Sequence, residues 1–588
     1  MAASAGDRNA GTGWRAVLME MLVGLREAVL RFPLATIFLL ATAIQAHLLI
    51  ADIHLFGSEG QGRFNDDSDL VLGFASGALA ALAATLFGEA RGYSRPARST
   101  MALVAGLVAF ALMALPQTFL VLQWTLVPAL LGLVPVAPFV GRGGSGAFWM
   151  FSARAAFAAL LGLLALLLLA GGISAILASL TLLFELAVPD ELYSHVWAFT
   201  GLFAAPLFAM GQLPDRFDEE PGTAVTGFMD RGMRALGDFL AAPLLILYAV
   251  ILHLYALKIV VTGEVPQGQI GWLVLVYGLC IFGTLIIINP FFDRARAPTR
   301  AFLRLWPFFL PVPLALLFYA VALRVGEFGI TPERFLLGLF GAVTTLILAL
   351  QLFPRMRGDI RVIAGVPVVA LILVSFGPQG ALGLSLRSQT TRFLEIVENP
   401  PVEGARHEQA LGALTFLESQ KALSRVAPEG TDIPPNADNA YMETAKAWGL
   451  DPSRRFSGPR GFSFDIGPET AVFTVKGFDT MIQYISVSVE SESPVSARLP
   501  SGREVSFTLE ENALVVMAGE EIVRFPISGQ DIEGMARLDG AGRPVEIPVD
   551  ADGRRMMLMP NYIYADLGDP PRLTSFQGAI LLRSEDWR

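Results

Sequence analysis

The chain is poor in charge and in cysteine. Only 16% of its 588 residues are charged, against about 25% in an ordinary soluble domain. That deficit excludes a disordered tail or an ordinary cytosolic enzyme as the whole chain. A net charge of −10 argues against an extended phosphate-binding surface of the nucleic-acid kind. The one cysteine, Cys280, excludes an intramolecular disulfide, a CxxC redox pair and a cysteine-built zinc site. No nucleophile elbow, P-loop, zincin pair or dinucleotide fingerprint is present. No catalytic residue, metal ligand or cofactor is assigned.

What is present is apolar, and unevenly placed. Residues 1–378 carry 23 basic and 23 acidic side chains, whereas residues 379–588 carry 20 and 30. The whole net charge therefore belongs to the last third. The chain reads as a membrane part followed by a soluble part. Eleven apolar runs approach the ~20 residues that cross a hydrocarbon core. They are 34–52, 69–88, 100–115, 117–140, 155–187, 196–213, 241–262, 271–290, 305–324, 335–353 and 362–378. Within 100–140, Pro116 and Gln117 mark either a tight hairpin or a broken helix. The run 155–187 is long and contains Gly171-Gly172, so it tilts, kinks or extends past the bilayer.

Basic residues on short loops collect on the cytoplasmic side. With an inside N-terminus, inner segments hold 19 basic residues and outer segments three, Arg63, Arg324 and Arg334. An odd number of crossings then places residues 379–588 outside, in the periplasm of a bacterial inner-membrane protein. Trp197, Trp272 and Trp306 fall near span ends, where an aromatic belt sits. Residues 1–33 lack the apolar core of a signal peptide. Trp14, Val17, Leu18, Met21, Leu22, Leu25 and Val29 recur instead at helical spacing, which predicts an amphipathic helix on the inner surface. Residues 223–240 repeat the pattern with Val225, Phe228, Met229, Leu236 and Phe239; a surface helix packed on the bundle explains it equally well.

The last third has two textures. Residues 379–455 read as helical, with Ala410, Leu411, Leu414, Leu417 and Leu423 on one stripe and Pro434-Pro435 as a break. Residues 456–588 read as β-rich. Phe462, Phe464 and Ile466 alternate with polar neighbours, as do Ile482, Tyr484, Ser486 and Ser488, then Val505, Phe507 and Leu509. Turns are expected at Gly502, Asp539-Gly540 and Asp552-Gly553. The expected fold is thus a polytopic α-helical membrane bundle of about eleven transmembrane helices. A soluble α+β domain follows, ending in an antiparallel, sandwich-like sheet. The acidic pairs Glu510-Glu511 and Glu520-Glu521 read as solvated turns and edges.

Three segments together resemble a bacterial membrane-protein family catalogued as domain of unknown function 4153. They are Arg31-Phe32-Pro33-Leu34, the run Leu244–Ile259, and Tyr319–Arg334 with Arg324, Gly329, Ile330, Thr331, Pro332 and Arg334. The resemblance implies architecture and an envelope setting, not chemistry. The chain departs from the family at Phe328, where a Tyr usually precedes Gly329; that argues against a required hydroxyl there.

Candidate functional residues are the polar groups in or near spans. The first set is Arg324, Glu327, Thr331 and Arg334. In a structural reading Thr331 is an N-cap before Pro332, Glu333 favours the helix dipole, and Arg324 closes the preceding helix and pairs with Glu327. In a functional reading a helix N-terminus with arginines binds an anion or headgroup. The second set is His253, Tyr255 and Lys258. Lys258 is expected to snorkel, and His253 is either a hydrogen-bonded packing residue or a proton carrier. Glu185, near an outer span end, is third; His47 and Gln45 are minor candidates. Gly73, Gly77 and Ala81 read as close helix packing. Gly141–Gly146 reads as a flexible inner loop and Asp215–Glu220 as a solvated turn. The function expected is transport or handling of a lipid or envelope component. The alternative is a membrane scaffold or signalling protein presenting the outer domain to an envelope protein partner, with an intramembrane transferase less favoured. The bilayer is the expected partner and nucleic acid is not.

Overall fold

A computed structural model describes residues 25–54, 67–221, 227–262, 270–402, 404–428, 440–450, 461–465, 475, 477–489, 494–510, 512–519, 521–532, 547–566 and 571–587. It divides into two compact units, residues 1–388 and 389–588. All eleven apolar runs form helices. Nine are long and apolar enough to cross a membrane among the described residues: α1 Pro33–Ile50, α2 Asp67–Ala90, α3 Arg95–Ala114, α5 Ser145–Phe184, α6 Asp190–Gly211, α7 Arg231–Thr262, α8 Ile270–Phe292, α9 Ala297–Phe328 and α10 Pro332–Leu350. Two are shorter, α4 Gln123–Phe139 and α11 Ile360–Val374.

The region around Pro116 is a tight hairpin. Leu120 takes a left-handed backbone (φ 50°), and α3 and α4 then run as separate helices. The hairpin is fastened to the end of α11. Leu122 N–H donates to the Ser375 carbonyl (2.8 Å), Gly377 N–H donates to the Phe119 carbonyl (2.8 Å), and the hydroxyls of Thr125 and Ser375 lie 2.7 Å apart. Helix α5 is one uninterrupted helix of 40 residues. At 1.5 Å per residue it is about 60 Å long, roughly twice the ~30 Å hydrocarbon core. Gly171 and Gly172 do not break it.

Contacts at helix ends define two opposite ends of the bundle. At one end Arg31, before α1, holds Glu89 of α2 (2.9 Å) and the carbonyls of Leu213 and Pro214 after α6 (both 2.8 Å); Arg98 of α3 shares Glu89 (3.1 Å). At the same end Trp149 of α5 donates to the Ile287 carbonyl of α8 (3.0 Å), and Arg361 of α11 reaches the loop before α5. At the other end His47 of α1 meets His195 of α6 (2.8 Å), and Gln123 of α4 donates to Asp69 of α2 (2.7 Å) and to the Met113 carbonyl of α3 (3.2 Å). The helices run alternately between these ends, so Arg31 and Ser375 lie at opposite ones.

Small residues set the closest approach. A Cβ on Gly77 would lie 2.7 Å from the Phe38 ring and 3.1 Å from the Gly106 carbonyl. Glycine at both positions therefore lets α2 and α3 touch backbone to backbone while Phe38 of α1 fills the crossing. This is the small-residue packing of membrane helices, where dispersion rather than water exclusion drives association. Several apolar cores result. One joins Phe32, Phe38, Leu86, Phe148 and Phe151; a second joins Leu252, Tyr277, Ile281, Phe302, Leu317 and Ile347; a smaller one joins Ala109, Met113, Leu126 and Leu130. Outside them large side chains stay bare, such as Leu168 (67%) and Val260 (79%). Such a surface suits lipid and would associate in water.

Several expectations change. Trp306 is buried against Phe282 and is not part of an interfacial belt, whereas Trp197 and Trp272 are exposed. Residues 25–31 are helical, with Ala28 rather than Val29 buried. Trp14, Val17, Leu18, Met21, Leu22, Val225, Pro434-Pro435, Ile466, Asp539-Gly540 and Arg63 lie outside the described residues. Leu236 and Phe239 are exposed on a π-helical turn near the start of α7.

Among the described residues the second unit carries the end of helix α12 (Ala381–Val397), then α13 (Ala405–Ser419), α14 (Ala440–Ala447) and nine strands. One antiparallel sheet runs β1 (Gly461–Asp465), β8 (Arg554–Asp566), β9 (Arg572–Leu582), β2 (Thr480–Ser488), with β7 (Ile547–Ala551) also on β8. The other runs β3 (Val495–Arg498), β4 (Glu504–Glu510), β5 (Ala513–Ala518), β6 (Glu521–Pro526). Their inner faces share one core that includes Val505, Phe507, Leu509, Phe525, Ile580 and Trp587. Asp552 and Gly553 both have positive φ, as a two-residue hairpin loop requires. In β2 the pattern slips. A bulge between Ile482 and Ile485 turns Ile485 and Val487 inward, not Tyr484, Ser486 and Ser488. At the sheet surface Glu510 pairs with Arg524 (2.9 Å), and Glu521 pairs with Arg554 and Arg503; Glu511 and Glu520 lie outside the described residues.

Candidate functional site

The turn between α9 and α10 gathers Arg324, Phe328 and Arg334. Arg334 donates to the carbonyls of Phe328 (3.2 Å) and Gly329 (2.8 Å). It is therefore Arg334, not Arg324, that closes α9. Both guanidiniums face the Phe328 ring, at 6.0 Å for Arg324 and 5.4 Å for Arg334. Thr331 holds the N-cap position before Pro332, but its side chain makes no capping bond. Ile330 N–H donates to the Ser388 hydroxyl of α12 (3.0 Å), which fastens the turn. Glu327 is exposed at the end of α9.

The other candidates lie apart. His253 Nδ1 is 2.8 Å from the carbonyl of Ala249, one turn back on its own helix. Tyr255 packs partly buried on the second core, and Lys258 is exposed. Glu185 caps α5 in a left-handed conformation (φ 53°) and is exposed. None of these eight residues lines the three cavities described next.

A cavity of about 860 Å³ forms a groove along α11. Its wall includes Val362, Val366, Val369 and Leu373, and its mouth holds Arg142, Arg355, Asp359 and Arg361. Val369 and Leu373 are 49% and 58% exposed, so the groove opens sideways. Local sequence builds the mouth. Asp359 is the N-cap of α11 and accepts from Arg361 N–H (3.0 Å). The Arg361 guanidinium grips the same carboxylate, through Nε (2.9 Å) and Nη2 (2.6 Å). Its Nη1 donates to the carbonyls of Arg142 and Gly143, and Ser145 donates to Asp359 (3.1 Å). Burial works against the ionised Asp359 carboxyl, but the hydrogen bonds from Arg361 outweigh it and hold the group below its ordinary value. The loop expected to be flexible is thus pinned. The turn expected to be solvated is fastened as well: Glu219 pairs with Arg154 of α5 (2.6 Å).

Sequence reasoning counted these arginines only as positive-inside markers. The readable signal was Asp359 two residues before Arg361 at the start of an apolar helix, with Arg355 just upstream. Two further cavities are apolar. One of about 530 Å³ lies among α1, α2, α4, α5 and α6, with Thr42 and Ser152 on its wall; one of about 440 Å³ lies among α2, α3, α4 and the end of α11. At the opposite end of the bundle, three of the five histidines gather in two contacts. His47 meets His195, and His54 bridges Asp67 (2.9 Å) and Asp52 (3.2 Å).

An apolar multi-helix bundle followed by an antiparallel sandwich defines a multi-pass membrane protein with an appended α+β unit. Residues 34–382, more than half of the chain, match the family described as domain of unknown function (DUF4153), and the chain belongs to that family. It is 26% identical over 190 residues to an uncharacterised protein of Pasteurella multocida (strain Pm70); the match covers 32% of this chain and 29% of that one. The chain thus spans under a third of that relative's length. No solved structure matches.

Proposed function

We propose that this protein binds a lipid or lipid-linked envelope component from the side, within the inner membrane. One observation carries the reading. The groove along α11 is apolar over its length, opens sideways beside bare apolar helices, and ends among arginines. Ligand sites of this kind combine an apolar wall with a few convergent polar groups. The basic end is read as cytoplasmic from the one-sided distribution of Lys and Arg. The second unit then faces the periplasm, where it docks or senses. Arg324, Glu327, Thr331, Arg334, Glu185, His253, Tyr255 and Lys258 would act, if at all, at the outer membrane surface or within the spans, away from this groove.

The test is native mass spectrometry of the full chain released from membranes. Bound lipid is expected on the protein, and Val369→Trp, which fills the groove, is expected to remove it. Lipid occupancy unchanged by Val369→Trp would defeat the reading. A reporter joined after Arg588 should be active outside the cytoplasm; activity inside would reverse the topology.

A second reading, a scaffold for an envelope protein, draws on the exposed Met481, Tyr484 and Ile522 of the sandwich. Residues 389–588, exported alone, would then retain one specific partner.

A further inference from the structure

We infer that the groove selects an anionic phospholipid, with its phosphate between Arg142 and Arg355 and one acyl chain along α11. The inference rests on the lateral-binding reading above and adds the headgroup charge and the leaflet.

Charge is the first argument. Four charged groups line the mouth, but two of them cancel. Arg361 spends its guanidinium on Asp359 and on the carbonyls of Arg142 and Gly143. Arg142 and Arg355 are exposed and make no side-chain hydrogen bond or ion pair among the described residues. The mouth therefore presents two uncompensated guanidiniums, and the Arg361 strut fixes the backbone that carries Arg142. A guanidinium fork matches a phosphate and forms charge-assisted hydrogen bonds to it. A zwitterionic headgroup brings its own cation into the same space and gains less.

Length is the second argument. The groove wall on α11 runs from Val362 to Leu373. Eleven residue steps at 1.5 Å give about 17 Å, close to half of the ~30 Å hydrocarbon core. The trough thus suits a chain from one leaflet. That leaflet is the one whose headgroups meet the Arg31, Glu89 and Arg98 end of the bundle, because Arg91 donates to the Val140 carbonyl beside the mouth. Charge and depth agree on the same end, which a docking protein helix would not require.

The experiment titrates the delipidated full chain with phosphatidylglycerol and with phosphatidylcholine of equal chain length, read by native mass spectrometry. Two cations near the membrane surface predict a preference for phosphatidylglycerol of about tenfold or more. Arg142→Gln with Arg355→Gln should abolish the preference, and Arg142→Lys with Arg355→Lys should retain most of it. Monodispersity and thermal melting confirm that each variant folds. Equal affinity of the native chain for both lipids, or a preference that survives the glutamine pair, overturns the headgroup inference while leaving lateral binding standing. Failure of both lipids to bind, or binding unaffected by Val369→Trp, overturns lateral binding itself. A second copy of the chain in place of lipid overturns both.

Discussion

The imidazoles of His47 and His195 meet through their Nδ1 atoms at 2.8 Å, joining α1 to α6. One ring must donate and the other accept, so a single proton lies between the two Nδ1 atoms. Phe199 lies beside His47, 6.5 Å between ring centroids. Each histidine satisfies the other where little else is polar. His47→Ala and His195→Ala should each cost about 1 kcal/mol. The double variant should cost less than the sum, because the second truncation removes a group already unpaired. Thermal melting in detergent gives the cycle, and strict additivity would show that the contact contributes nothing.

Glu89 is the acceptor for two arginines from two other segments, Arg31 and Arg98. Glu89→Ala leaves both with one partner fewer in a half-buried site. A loss of about 1–3 kcal/mol is expected, discounted for partial exposure. Glu89→Asp should recover part of it. A melting temperature unchanged by Glu89→Ala would contradict this role.

Gly77 should tolerate nothing larger. Its missing Cβ would sit 2.7 Å from Phe38, so Gly77→Leu forces that ring or α3 to move. The expected cost is about 1–3 kcal/mol or more. Phe38→Ala in the same chain should relieve part of it, which separates a local clash from general damage.

His54 titrates upward from its ordinary value of 6.5, because Asp67 and then Asp52 accept hydrogen bonds from the charged ring. A raised folded value means the contribution is complete below about pH 6.5 and fades as pH rises through the folded value. The contacts of His54 with Asp67 and Asp52 should therefore open more readily at alkaline than at mildly acid pH. Hydrogen exchange at residues 50–54 measures this, and His54→Gln should flatten the dependence. Greater opening at acid pH would reverse the assignment.

Much of the architecture was legible before any contact was known. Helical runs of apolar residues declare themselves because lipid-exposed backbone must satisfy its own hydrogen bonds. Every one of the eleven runs is a helix. Gly73 and Gly77 pointed to close packing for the same local reason. The Asp552-Gly553 turn was readable from its chemistry. The Tyr484 stripe was not, because a bulge shifts the inward face without changing the alternation of residue types. Arg324 looked like the helix-closing arginine by proximity, yet Arg334 reaches back across Gly329 to do it.

The sequence by itself determined the division into a net-neutral bundle and an acidic C-terminal unit, the placing of the helices and the strand-rich end. These follow from composition and period, which act over a few neighbouring residues. Only the tertiary structure decided which polar groups meet. Arg361 finds carbonyls 219 and 218 residues away, and Arg31 finds one 182 residues away. Apolar helices resemble one another too closely for sequence to say which will be neighbours. Their partners are chosen by small-residue fits such as Gly77 on Gly106, and the polar contacts at the helix ends follow from that packing.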